Sequence, residues 1–378
     1  FINYFKIRAS YGIVGNDRLT WDDSVRFPYL TLIGSTGSGI WNNGSGLTET
    51  QVGSSNLRWE KAKKANIGID MRFLHERFDM TVDFFQDKRS GIYQQRQSVP
   101  EEMGLVTLPW ANVGEMKSWG MDGTISYTQP LGDNDKYLIV RANYTQSMNE
   151  ITNYEEDLKK YPYQSAVGYQ SGINRGLIAL GLFKDQAEID NSPRQTFGDY
   201  LPGDIKYKDI NGDGLINSDD EVPLKYSYVP QIQYGFATEF NWKNFNVSVL
   251  FEGVSRVTYF KGGNMYRPFA QSAVGNVITD FSNPANRWIS REISGNPATE
   301  NPNAKYPRLY YGGSANNDRN STFWLSDGGY LRLKNIQVSY TARGAFLKKL
   351  GLQKAVFSLI GDNLAVWSKE KMLDPAQA

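Results

Sequence analysis

The chain has 378 residues, 41 of them basic and 40 acidic, for a formal charge of +1, with one histidine and no cysteine. This balance gives no basic footprint for nucleic acid, and the absence of cysteine excludes disulfide frameworks, thiolate metal sites and cysteine nucleophiles. No apolar run approaches the roughly 18 residues of a membrane-spanning helix; a mean hydropathy of −0.51 still admits an outer-membrane barrel, whose alternating strands carry a weak signal.

The opening stretch, "FINYFKIRASYGIVG", alternates at once instead of showing a basic start and an apolar core, so no signal peptide is read and the chain is expected to be a fragment. Period-two patterning then recurs in nine places. In the first, Phe5, Ile7, Ala9, Tyr11 and Ile13 alternate with Lys6, Arg8, Ser10 and Gly12. Ile67, Ile69, Met71 and Phe73 follow, then a short "HER" turn, then Phe78, Met80, Val82 and Phe84. Strands are predicted over 119–128 and 137–147 with a turn between them. Ile232, Tyr234, Phe236, Thr238 and Phe240 lead through a tight "WKN" turn to Phe245, Val247, Val249 and Phe251. The last pair covers 330–341 and 355–363, bridged by "ARGAFLKKLGLQ", where one or two helical turns are expected.

Short turns alternate with long connections of roughly 30 to 80 residues, near 15–64, 88–117, 149–230 and 258–329, which compact domains rarely contain. The predicted fold class is all-β: a fragment of an antiparallel transmembrane β-barrel with short periplasmic turns and long extracellular loops, apolar residues facing lipid and polar ones the lumen. A soluble β-sandwich is the alternative, but its two ends usually carry comparable loops and one face of each strand buries against a second sheet. If the first short turn is periplasmic, the first and ninth strands both run outward, and an even-stranded barrel requires an odd number of further strands. Nine strands are also too few for the lumen such loops would roof, because plugged transporters have about 22.

The segment "KDINGDGLINSDDEVPL" places Asp209, Asn211, Asp213, Gly214, Ile216 and Asp220 at positions 1, 3, 5, 6, 8 and 12 of a calcium loop. An EF-hand needs a helix on each side, whereas "PGDIKYK" precedes this loop, Pro223 closes it and a strand follows. What remains is an isolated structural calcium loop, with Asp209, Asn211, Asp213, the Leu215 carbonyl and Asp220 as ligands and Ile216 packing inward. The competing reading is a metal-free turn in which Asp and Asn side chains bond to backbone amides.

Other chemical motifs are weak. "GSTGSGI" at 34–40 spaces two glycines like a phosphate loop but has Ile40 where lysine is required. His75 lies in a turn, and any histidine triad or multi-histidine zinc site would have to be built around it. Acidic runs such as "YEEDLKK" read as solvated charge, because a glycosidase needs two convergent carboxylates. Tyrosine and tryptophan crowd the two longest loops, where Tyr161, Tyr163, Tyr169, Trp288, Tyr310 and Trp324 are candidate substrate contacts; loop packing is the alternative. Tyr127, Tyr137, Trp242 and Trp367, near strand ends, are assigned to interfacial girdles. Arg332 and Lys334 share phase with Ile336, Val338 and Tyr340, so a mid-membrane cation costing roughly 2 to 4 kcal/mol is avoided only if this end of the strand projects above the bilayer.

In order along the chain, "FKIRASYGIVGN", "NLRWEKAKKANIGIDMRF", "FDMTVDFFQDKRSGIY", "ANVGEMKSWGMDGTISY", "PGDIKYKDINGDGLINSDDEV" and "GGYLRLKNIQVSYT" with "LKKLGLQKAVFSLIGDNLAVWSK" closely resemble the C-terminal barrel half of SusC/RagA-type TonB-dependent outer-membrane transporters. The resemblance implies a Bacteroidota outer membrane, a barrel of 22 strands of which this chain would hold about nine, and an N-terminal plug, TonB box, early strands and last strand outside it. It also implies a SusD-like lipoprotein that captures glycans or peptides, and coupling to TonB–ExbB–ExbD through the segments this chain lacks. The expected function is thus a nutrient-import barrel without covalent chemistry; the alternative is a soluble or surface-attached β-rich glycan-binding or adhesion module.

Overall fold

The computed structural model describes residues 1–18, 27–36, 46–132, 135–269 and 277–376. Nine long strands form one sheet: β1 (Ile2–Asn16), β2 (Glu60–Phe73), β3 (Phe78–Gln95), β4 (Trp110–Pro130), β5 (Lys136–Asn153), β6 (Ile232–Trp242), β7 (Phe245–Ser255), β8 (Tyr330–Ala342) and β9 (Ala355–Ser368). Each pairs antiparallel with its neighbour in sequence, giving an up-and-down meander.

Register shows why the alternation reads so cleanly. One row across the sheet runs Ile7, Ile69, Val82, Gly123, Tyr144, Tyr234, Gly253, Leu331, Trp367. The next row runs Arg8, Gly68, Asp83, Asp122, Thr145, Gln233. Side chains of adjacent rows point to opposite faces, so the first face meets lipid and the second the lumen. On the lumen face Arg8 bonds Asp70 at 2.9 Å and Asp83 at 2.7 Å, tying three strands together. Gly68 lies between them, where a Cβ would fall 2.4 Å from an Asp83 oxygen and 2.6 Å from the Arg8 guanidinium, so a larger residue would have to displace these side-chain ends from the ion triad.

The strands outlast their predicted ends. β4 has 21 residues, roughly 70 Å at about 3.3 Å per residue, against an apolar band about 25 Å tall. Its upper part and those of β2, β3 and β5 carry cross-strand ion pairs instead of apolar rows: Lys64–Asp87 at 3.9 Å, Arg89–Glu60 at 3.5 Å and Lys117–Glu150 at 2.9 Å. The connection predicted over 88–117 therefore shrinks to 96–109, because the ladder continues above the membrane with polar side chains.

Two local assignments change. Tyr127, Trp242 and Trp367 lie on the lipid face, and Trp242, Phe245 and Tyr340 share one row near the short turns. Tyr137 pairs with Asn241 on the lumen face and reaches Glu239 at 3.4 Å, so it is not a girdle residue. Arg332 likewise leaves the lipid phase. Leu333 pairs with Phe251 and Asn335 with Leu250, making Lys334 an extra residue that shifts the alternation by one. Leu331 and Leu333 take the lipid side, while Arg332 pairs across to Glu252 and bonds Asn363 and Asp374. A bulge, in place of projection above the bilayer, keeps the cation out of lipid.

The apolar core lies outside the barrel wall. The loop between β5 and β6 and the loop between β7 and β8 fold onto each other as a cap, burying Leu177, Leu182, Ile205, Tyr207, Ile216, Tyr266, Phe281, Trp288, Tyr306 and Trp324. Each fully buried large apolar side chain stabilises the cap by about 1.5–3 kcal/mol. The backbones are stitched as well: Leu177 bonds through its N–H to Asn320 and through its carbonyl to Thr322, both at 2.9 Å. The expected helical turn between β8 and β9 is present at Ala345–Lys349.

Candidate substrate-side site in the long loops

Residues 209–220 form a tight loop closed by its own amides. Asp209 accepts the Gly212 and Gly214 amides at 2.7 and 2.9 Å. Asn211 accepts the Asp213 amide at 2.9 Å, and Asp213 accepts the Leu215 amide at 2.9 Å and the Asn211 side-chain amide at 3.0 Å. Gly214 has φ +81°, a left-handed conformation that glycine adopts without strain. Asp220 is fully buried and accepts the Ile210 and Asn217 amides at 2.8 and 2.9 Å, bracing the two ends of the loop. Ile216 enters the cap core, as its position in the pattern predicts, and the Leu215–Ile216 strand pairs in parallel with Arg194–Gln195. Among the described residues no three Asp, Glu or His side chains are grouped to hold a metal ion by themselves.

The same loop anchors part of the aromatic set. Asp219 binds the Lys160 ammonium at 2.8 Å and the Gln164 amide at 3.1 Å, and its carbonyl accepts the Tyr163 hydroxyl at 2.7 Å. The Lys160 hydrogen bond, with Gln164 second, holds the Asp219 carboxyl below the usual carboxylate range. Tyr161 and Tyr163 stack with centroids 5.3 Å apart and planes 2° from parallel. Arg175 donates to the Tyr163 and Ser165 carbonyls and lies 5.3 Å from the Tyr169 ring centre. Tyr161, Tyr163 and Tyr169 are thus brought together, all half-buried.

Trp288, Tyr310 and Trp324 lie apart from them, around the cap core. Trp288 and Trp324 are 4% and 3% exposed, and the Trp324 indole donates to the Asn317 carbonyl at 2.7 Å, so both ring systems are committed to packing. Tyr310 is half-buried and donates to Asp204, while the Arg308 guanidinium sits 4.1 Å from its ring centre. Burial, reinforced by the Asp204 hydrogen bond, pushes the Tyr310 phenol up. Asp204 itself has no exposure and also accepts Leu201 N–H at 2.7 Å, Asn317 Nδ2 at 2.9 Å and Arg308 Nη2 at 3.3 Å. Gln195 and Asn316 complete this buried network through 2.7–3.1 Å bonds to each other and to the Ile205 carbonyl. Sequence reading does not find these polar residues because their partners lie up to 121 residues away; Asp204 alone of them falls in one of the resembling stretches, within "PGDIKY".

Two clefts open beside the core. The larger, about 740 Å³, is lined in part by Lys184, Leu201, Trp288, Ile293 and Arg308; the smaller, about 470 Å³, by Asn283, Asn296, Thr299 and Asn301. Arg287 lines both. His75 is exposed in the turn between β2 and β3, its amide bonded to Asn3, at the opposite end of the strands. Of the 34–40 stretch, Gly34, Ser35 and Thr36 form part of a short strand paired with Gly46–Gln51, and 37–40 lie outside the described residues.

Comparison with known proteins fits this architecture. Residues 1–364 match the family model described as TonB dependent receptor-like, beta-barrel. TonB-dependent receptor P26 of Formosa agariphila is 27% identical over 386 residues, covering 98% of this chain and 36% of the relative. TonB-dependent receptor SusC of Bacteroides thetaiotaomicron is 25% identical over 392 residues, covering 98% of this chain and 35% of the relative. The chain therefore spans about a third of the length of these relatives. The structure of the RagAB peptide transporter superposes over all of this chain and 39% of its own, with a TM-score of 0.72 and 21% identity, a likeness of fold. These matches are receptors and transporters, not enzymes.

Proposed function

Because the chain belongs to the TonB dependent receptor-like β-barrel family, whose members are outer-membrane proteins, we propose that it supplies wall strands and substrate-side loops of a TonB-dependent nutrient importer. The observation that carries this reading is the separation of roles: a meander with one lipid and one lumen face, topped by a cap with its own core. A cap with its own apolar core can hold a binding surface over the lumen while the wall stays fixed. In this reading the cargo is an oligosaccharide or a peptide, delivered with a SusD-like lipoprotein, and TonB–ExbB–ExbD acts through segments outside this chain. Likeness to a peptide transporter favours neither cargo at 21% identity. The Tyr161–Tyr163 stack and Tyr169 are the candidate contacts of the six that keep partly exposed rings clear of the cap core.

The 209–220 loop fits the same reading as a structural brace. Oxygen atoms of Asp209, Asn211 and Asp213 and the Leu215 carbonyl suit a hard cation such as calcium, with Asp220 holding the loop ends. Calcium is then expected to raise the protease resistance of residues 191–228 in the intact protein, and Asp209→Ala with Asp213→Ala to abolish that effect while sparing membrane insertion. Identical cleavage with calcium and with chelator leaves the loop a metal-free turn.

The importer reading is tested by fractionation and uptake. The intact parent protein should stay with washed outer membranes until detergent is added, and its removal should abolish uptake of one oligosaccharide or peptide pool. Recovery in soluble, detergent-free form would overturn the importer reading and return the soluble or surface-attached binding or adhesion module as the alternative.

A further inference from the structure

The smaller cleft has an uneven chemistry. None of the residues lining it is acidic. Asn283, Asn296 and Asn301 each use the side-chain oxygen to accept a backbone amide, from Ala285 at 3.0 Å, Ala298 at 2.9 Å and Asn303 at 2.9 Å. Their NH₂ groups have no protein acceptor among the described residues. The Thr299 hydroxyl is directed to the Ile289 and Asn296 carbonyls at 2.9 and 2.8 Å. Arg287 adds a guanidinium that has no ion-pair, hydrogen-bond or ring partner among the described residues. The neighbouring Arg291 and Arg308 differ, being committed to Glu300 and Asp204. The side chains of this cleft therefore offer donors and one fixed cation, and their own acceptors are occupied.

A neutral sugar hydroxyl both donates and accepts, and the side chains of this cleft supply only half of that exchange. A carboxylate only accepts, carries the complementary charge, and matches the planar fork of a guanidinium bidentately. We propose that the Arg287 cleft is a subsite for a carboxylate group carried by the ligand, with the asparagine NH₂ groups as further donors. The inference rests on the importer reading, which makes the cap ligand-facing. The carboxylate is either the C-terminus of a short peptide or the acid group of a uronic sugar.

The test uses the full-length protein with its membrane partner in detergent, and calorimetric titration at low and at physiological salt. The probes are tetra-alanine as free acid and as C-terminal amide, and tetragalacturonate and its methyl ester. In one of the two pairs the acid is expected to bind about tenfold more tightly than its neutral form, less so at higher salt. Arg287→Gln should remove the preference without lowering the melting temperature, Arg287→Lys should retain part of it, and Asn301→Ala should weaken it several-fold. Which pair discriminates identifies the source of the carboxylate. The proposal is overturned if neither acid binds better than its neutral form, absence of binding included, or if the preference survives Arg287→Gln. Uptake by cells is measured separately: transport without any acid preference removes the subsite alone, whereas acid-selective binding without transport removes the importer reading alone.

Discussion

Replacing Asp204 tests whether the cap is held by its buried polar network as well as its apolar core. The Asp204 side chain is 0% exposed and that of Arg308 25%, so Asp204→Ala strands a largely desolvated guanidinium. Breaking a buried pair costs about 3–5 kcal/mol, and partial solvent access to Arg308 argues for the lower end. The Leu201 amide and the Asn317 side-chain amide, bonded to Asp204 at 2.7 and 2.9 Å, also lose their acceptor. Because these losses share one carboxylate they are not additive, and about 3–4 kcal/mol is expected in all. Asp204→Asn keeps one acceptor oxygen and should lose about half as much. Hydrogen exchange on the full-length protein reads the effect locally: amides near Ile205, Tyr207 and Trp324 should exchange at least about a hundredfold faster in Asp204→Ala, while those of β2 to β4 stay unchanged. Equal exchange in the cap of variant and parent would show that the apolar core alone holds it, and the reasoning would be wrong.

Cysteines at Val247 and Val249 should react with a lipid-phase probe, and cysteines at Asn246 and Ser248 with a water-soluble lumen probe; equal labelling of both pairs would refute the face assignment. Deleting Lys334 removes the extra residue and leaves Leu331, Leu333 and Ile336 on the lipid side and Arg332 and Asn335 on the lumen side in one unbroken alternation, so no cation is moved into the bilayer. The deletion should therefore leave the yield of heat-modifiable barrel close to that of Lys334→Ala, and a far lower yield would refute the assignment of Lys334 as the extra residue. Acid should loosen the cap before the wall. The hydrogen bond from Lys305, then that from Tyr306, holds the Asp280 carboxyl below its unfolded value, so its stabilisation is complete above about pH 4 and fades as pH falls through the folded value. Protease sensitivity near 280–306 should rise between about pH 4 and pH 2, and a flat profile would remove Asp280 from the cap's stabilising contacts.

Much of the wall was legible in the chain because a strand that separates lipid from water writes its two faces into alternate residues, as Ile67 to Phe73 and Phe245 to Phe251 do. Strict alternation of short and long connections likewise gave the meander order, which requires no knowledge of distant contacts. The inward anchor Ile216 was legible for a related reason, since loop geometry within a dozen residues dictates it. Phase, however, fails wherever one residue is added. The Lys334 bulge is visible only in the pairing of Leu333 with Phe251 and Asn335 with Leu250, because nothing local distinguishes an extra residue from a continuing strand. Tyr137 was misplaced similarly, since its nearness to a strand end says nothing of the face its register selects. Candidate contacts divide along the same line: for Trp288 and Trp324 the sequence left substrate contact and loop packing both open, and the meeting of two loops takes their faces into a core. The Asp204 network belongs wholly to the tertiary structure, because Arg308 and Asn317 lie 104 and 113 residues from it along the chain and meet it only when the two loops fold together, whereas the Asn side chains of the Arg287 cleft bond amides just two residues ahead.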